Sequence, residues 1–220
     1  MMLDTFGAVT AGASLAAIVA ATIGNRPAPL WNRAVFAAVA GGWIGLIAAL
    51  TANGDAKDFR VFVALFAASL IAAPFVWRGV ASRTFVALNV IRILGVEFVL
   101  LAFAGALGGP FPYFAGIGDM VAGAFALPVA LSMRGENAND PRVLAWNAWG
   151  LLDLLVAVAL GVTSANGFPL QVFHAGAGSA AISALPWSLI PLALVPTFMI
   201  GHIMIFVRAA SAQRTIAMAR

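Results

Sequence analysis

Seven long apolar stretches, separated by short polar breaks, make up almost the whole of this chain. They run approximately over 5–24, 31–52, 61–80, 84–107, 111–133, 142–164 and 186–208. Each holds close to the ~20 apolar residues a helix needs to cross ~30 Å of hydrocarbon. The apolar positions do not alternate as in a lipid-facing barrel strand. Main-chain groups in lipid must also be bonded within their own segment, so the pattern predicts helices. The breaks are chemically clear. Asn25 to Pro29 closes the first span, Asn53-Gly54-Asp55 the second, Trp77-Arg78-Gly79 the third and Gly108-Gly109-Pro110 the fourth. Residues 134–141 form the most polar loop and 165–185 the longest, rich in Gly, Ala and Ser.

Composition strengthens the membrane reading. The 220 residues are 63% hydrophobic and 9% charged, with mean hydropathy +1.01. A soluble domain carries about 25% charged residues and could not hide this much apolar surface. The expectation is an all-α, polytopic integral membrane protein, one seven-helix bundle over residues 1–220 with no soluble domain. The first stretch lacks a basic n-region and carries Asp4, so it reads as the first span and not as a cleaved signal.

The net charge of +4 does not point to nucleic acid, because the basic residues are scattered singly through short loops. Topology explains them. Arg26 and Arg33 flank the first loop, Arg78 and Arg83 the third, Arg134 and Arg142 the fifth, and Arg208, Arg214 and Arg220 follow the last span. The fourth and sixth loops have no Lys or Arg; in the second, Lys57 and Arg60 are accompanied by Asp55 and Asp58. Basic loops stay on the cytoplasmic side, which puts the N-terminus outside and the C-terminus inside. Trp31, Trp77, Trp146 and Trp187 fall near span ends, as an interfacial aromatic belt requires. Arginine in place of lysine and abundant alanine associate the chain with a bacterial inner membrane.

A weak internal echo links the end of the second span (45–54) with the end of the sixth (158–167). Both run the same way across the membrane, which would suit a 3+1+3 repeat.

Candidate chemistry lies in the ionisable residues inside the spans. Arg92 and Glu97 share the fourth, Asp119 lies in the fifth, Asp153 in the sixth and His202 in the seventh. Such residues are costly in hydrocarbon and face the bundle interior or water. At about 1.5 Å per residue, Glu97, Asp119 and Asp153 share a layer near the midplane, with Arg92, Asn147 and His202 just below. At about 100° per residue, Arg92 and Glu97 point about 140° apart and reach different neighbours, whereas Asn89 shares a face with Arg92. Asn147 and Asp153 also diverge. Gly116, Gly118 and Gly123 leave room for another helix against the Asp119 face. Arg92 can offset only one of three carboxylates, so at least one is expected to hold a proton at neutral pH. The first three spans carry ionisable residues only at their ends, Arg33 and Arg78, none deep in the membrane, and read as scaffold.

Several classes are excluded. Without cysteine there is no disulfide, thiolate metal site or cysteine nucleophile. The only lysine, Lys57, lies in a loop, so a retinal Schiff base on the last helix is ruled out. No Pro-Gln pair of the seven-helix sugar transporters occurs in the first or fifth helix, and seven-helix zinc hydrolases need more intramembrane histidines than His202. Metalloprotease, P-loop, Rossmann and serine-hydrolase signatures are missing. His174 lies in the outer loop, too far in depth from His202 to share a haem. His202 itself reads as a proton relay, a metal ligand or a hydrogen-bonded core histidine.

These residues point to a proton-coupled transporter or channel for a small solute or ion. The pathway would comprise Glu97, Asp119, Asp153, Arg92, His202, Asn147 and Asn89. The alternative is a non-catalytic accessory or assembly subunit that binds another membrane protein or cofactor. An enzyme ranks below both. Lipid is the expected surrounding, with a homo-oligomer or a membrane-protein partner left open and no nucleic acid. The 165–185 loop reads as an interfacial cap or as a plain connector.

Overall fold

The computed structural model describes residues 2–25 and 30–218. The fold is 79% helix, with no strand among the described residues and seven helices long and apolar enough to span a membrane. They comprise α1 (Met2–Asn25), α2 (Leu30–Ala52), α3 (Phe59–Trp77), a broken fourth span of α4 (Ser82–Leu88) and α5 (Val96–Phe103), α6 (Phe111–Ser132), α7 (Pro141–Thr163) and α8 (Val195–Met218). The first-loop break at Arg26 to Pro29, and Arg220, lie outside the described residues.

Loop acids explain two helix starts. Asp58 accepts from the Arg60 and Val61 amides at the head of α3, and Asp140 from the Arg142 amide at the head of α7. Each satisfies amides that the helix itself cannot pair. A third loop acid, Glu136, accepts from the Ser82 amide at the head of α4 at 2.5 Å, and Arg208 of α8 donates to Ser82 Oγ and to the Trp77 carbonyl. The third loop, the fifth loop and the C-terminal helix therefore share one face. On the opposite face the Gly108 amide bonds the Gly178 carbonyl, and Trp187 Nε1 bonds Asp4 Oδ1. The N-terminus, fourth loop and sixth loop meet there, in the alternation that seven successive spans require.

Two spans depart from α geometry. Residues Asn89–Gly95 of the fourth form a 3-10 helix, and Ile190–Leu194, leading into α8, form a π-helix. At the first break Asn89 Nδ2 bonds back to the Phe85 carbonyl, a side-chain bond that competes with the α ladder. Near the second, Pro196 brings no amide for the Leu192 carbonyl; Ser69 Oγ of α3 takes that carbonyl at 2.5 Å and itself accepts from Trp43 Nε1 of α2. The seventh span thus begins at residue 190 and not at 186, and Pro186 and Trp187 belong to the preceding turn. The third ends at Trp77 and the fourth at Phe103, each earlier than hydropathy alone suggests, because apolar loop residues follow.

Burial is uneven. Within the candidate span of α2 only 11% of residues are buried, against 56% in the seventh. The scaffold role expected of the first spans fits α2, which packs on α1 and on the short 3-10 turn Asp55–Lys57. The echo between the second and sixth spans extends to left-handed Gly54 and Gly167, but α7 sits inside the bundle against α6 and α8 while α2 is peripheral. The aromatic belt is corrected. Trp77, Trp146 and Trp187 are buried and bond Thr197 O, Ala122 O and Asp4; of the four, Trp31 alone is exposed. Each buried indole N–H finds an acceptor inside the protein, so these rings brace helices instead of anchoring them in headgroups.

The 165–185 loop is a tied cap. Ser179 Oγ bonds the Gly161 carbonyl, the Ser179 amide the Ser164 carbonyl, and Gln171 Nε2 the Asn166 side chain. Phe168 is buried edge-on against Phe59 and Phe62. His174 is exposed on this cap, while His202 is fully buried.

Candidate functional site

Arg92 sits on the 3-10 segment and reaches into the seam between α6, α7 and α8. Its Nε donates to Asp119 Oδ1 at 2.6 Å and its Nη2 to Asp153 Oδ2 at 2.5 Å. Nη1 donates to the Gly150 carbonyl and to His202 Nε2, both at 3.1 Å. Four of the five guanidinium N–H groups are thereby taken. The two carboxyl groups thus converge on one guanidinium.

His202 continues the network. Its Nδ1 lies 2.8 Å from Asn147 Oδ1, and Asn147 Nδ2 donates to the His202 carbonyl at 3.0 Å. Because Arg92 has only protons to offer Nε2, the ring carries its hydrogen on Nδ1 and gives it to Asn147. Phe85 and Trp146 pack their rings on the imidazole, with centroids 5.1 and 5.3 Å away, and Trp77 and Phe198 extend this aromatic layer. The cluster is thus walled by rings on its C-terminal-face side.

Glycines let the helices close on this point. A Cβ on Gly118 would fall 1.6 Å from Asp153 Oδ1, one on Gly123 2.4 Å from the Ile93 amide, and one on Gly150 2.5 Å from the His202 ring. The 3-10 backbone therefore lies directly on α6, as the small residues beside Asp119 predict.

The sequence-predicted residues divide. Arg92, Asp119, Asp153, His202 and Asn147 form one bonded cluster. Asn147 and Asp153 leave α7 toward different partners, and His202 and the long Arg92 side chain join them. Asn89 stays outside, because its amide turns back to its own helix and its Oδ1 has no partner. Glu97 faces the other way, toward α1, into a space that Thr10 and Ser14 also line. The first span thus lines the Glu97 chamber. Thr10 and Ser14, four residues apart on one face of α1, are the polar signal that sequence reasoning passed over. The Gly150 carbonyl was missed as well, and a main-chain group leaves no signal in the residue pattern.

Two adjoining cavities meet at Asp119. One extends under the 165–185 cap past Ser179, Ser183 and Phe111; the other runs past Arg92 and Glu97 to Thr10 and Ser14. An apolar groove between α6 and α7, lined by Tyr113 and Trp149, opens the Gly118 and Asp153 positions outward. Among the described residues no group of three or more His, Cys, Asp and Glu side chains could hold a metal ion.

The family described as a domain of unknown function (DUF8737) matches residues 60–210. The chain belongs to that family. The DUF8737 stretch begins within α3 and ends within α8, so it takes in the whole Arg92 cluster and Glu97 and leaves Thr10 and Ser14 outside. No curated protein and no solved structure matches the chain.

Proposed function

We propose that this DUF8737 chain is a multi-pass membrane protein of a bacterial inner membrane, N-terminus outside, which moves protons alone or coupled to a small solute. One observation carries the reading: a single guanidinium shared by two carboxyl groups at the centre of the bundle, at the meeting point of two cavities. The charges count to one positive and two potentially negative. One proton on Asp119 or Asp153 makes the cluster neutral, which a low-dielectric interior favours. That proton is exchangeable in principle, because cavities reach Asp119 from the cap side.

Loading and release would work through the fork. A second proton leaves both carboxyl groups neutral and weakens their hold on Arg92, whose guanidinium then keeps its bonds to Gly150 and to His202. Passage toward the C-terminal face would require His202 and the Phe85–Trp146 rings to shift.

The test is flux. Purified protein in liposomes with an internal pH dye is expected to dissipate a potential-driven proton gradient, and Asp153→Asn to abolish this while keeping the wild-type circular dichroism and elution volume. Wild-type liposomes that stay tight across a panel of solutes and pH gradients, or undiminished flux in Asp153→Asn, would refute the proposal.

A further inference from the structure

The Glu97 chamber is rich in acceptors and poor in donors. Glu97 is 3% exposed, and its Oε1 has no hydrogen-bond partner. Thr10 is at hand, but its one hydroxyl proton is also within reach of the Phe6 and Gly7 carbonyls at 3.0 and 3.2 Å. Ser14 lines the same space from the next turn of α1. The only other ionisable groups lining it among the described residues are Arg92 and Asp119, which are bonded to each other. An acidic group with an unpaired oxygen, beside a Thr10 hydroxyl that bonds its own helix, has no other basic side chain than the committed Arg92 lining its space among the described residues.

The backbone around the chamber is irregular in a matching way. Ile91, Leu94 and Gly95 belong to the 3-10 segment, and Ile190 and Leu194 to the π-helix, and all line this space. Both spans leave the α ladder where they border it. Broken stretches of membrane helices are where main-chain carbonyls become available to ions.

We infer that this chamber is a binding site for a monovalent, sodium-sized alkali cation, held by Glu97 with the hydroxyls of Thr10 and Ser14 and main-chain carbonyls of the irregular turns. One carboxylate matches one positive charge, and hard oxygen donors suit an alkali ion. The site goes beyond the proton reading and does not need it, since Glu97 makes no bond to the Arg92 cluster.

The experiment is thermal unfolding of the purified full chain in detergent, with NaCl, LiCl or KCl exchanged against N-methylglucamine chloride at constant ionic strength. A ligand that binds only the folded state raises the midpoint, on the order of 5 °C at about a hundredfold excess over Kd. Sodium is expected to do this in the wild type. Glu97→Gln should remove the effect, and Ser14→Ala should shift it to roughly tenfold higher sodium. Asp153→Asn should keep it, which separates this site from the proton reading. If Glu97→Gln does not fold, Ser14→Ala and Thr10→Val decide. A wild-type midpoint indifferent to the cation, or a sodium effect of equal size in the foldable chamber variants, overturns the site.

Discussion

Asn147 and His202 hold each other twice, once through the imidazole Nδ1 at 2.8 Å and once through the His202 main-chain carbonyl at 3.0 Å. The pairing fixes the ring with its Nε2 lone pair toward Arg92. Asn147→Leu keeps the branched heavy-atom skeleton, deletes both bonds and leaves a buried N–H without a partner. Unsatisfied buried donors cost about 1–3 kcal/mol, and interhelical bonds in membranes about 0.6–1.7 kcal/mol. The expected loss is about 2–4 kcal/mol of stability in detergent unfolding. A loss under about 0.5 kcal/mol would show that water or another group replaces Asn147.

Arg92 is the hub, so removing it alone should be the most damaging single change. Arg92→Leu strands two carboxyl groups together in the bundle interior without their shared cation. Breaking a buried ion pair from one side costs about 3–5 kcal/mol, whereas replacing the whole charged set by neutral groups is often harmless. Arg92→Leu is thus expected to express poorly or unfold early. The triple variant Arg92→Leu, Asp119→Asn, Asp153→Asn should recover most of the stability and none of the proton flux. Recovery of stability separates charge balance from shape; a triple variant no better than Arg92→Leu would assign the loss to packing.

Much of this architecture was legible in residue order. Uninterrupted apolar runs of span length leave helices as the only economical structure, and single basic residues mark one set of loops. The members of the cluster were legible too, because Arg, Asp and His stand out in an apolar background. Their connections were not. Depth and angle assumed uniform α geometry, but Asn89–Gly95 is a 3-10 segment and the Arg92 side chain crosses from one layer to the next. Trp77, Trp146 and Trp187 were misplaced because position along a span says nothing about azimuth, and their N–H groups found internal carbonyls. Glu97 parted from the cluster and faces a space lined by Thr10 and Ser14 of α1, a long-range pairing that their spacing on one face of that helix hints at but does not assign.

The glycines divide into those that admit the site and those that do not touch it. A Cβ on Gly123 would press on the Ile93 amide and the Arg92 carbonyl carbon, which are backbone atoms and cannot swing away. Gly123→Ala should push the 3-10 segment off α6, costing about 1–3 kcal/mol and displacing Arg92 from its carboxylates. Gly41→Ala in α2 meets nothing within 4 Å. It is expected to be neutral or stabilising by up to about 1 kcal/mol, from helix propensity alone. Paired midpoints for the two variants, with proton flux, check this. Equal effects would contradict the close approach of the fourth span to α6.

Orientation can be read directly, because the chain has no cysteine and any introduced thiol is unique. Ala175 lies exposed on the cap, and Asn137 is exposed in the loop that carries Glu136. The Gly108–Gly178 bond ties the loops of the first face together and the Glu136–Ser82 bond those of the second. Arg78, Arg83, Arg134 and Arg214 follow the second face, and basic residues resist translocation. A membrane-impermeant maleimide added to intact cells should therefore label Ala175→Cys, and label Asn137→Cys only after lysis. The reverse pattern would invert the topology and put the cavities at Asp119 on the cytoplasmic side. Labelling of both before lysis would mean that the segments do not all cross, and the proton reading would fall with the bundle's insertion.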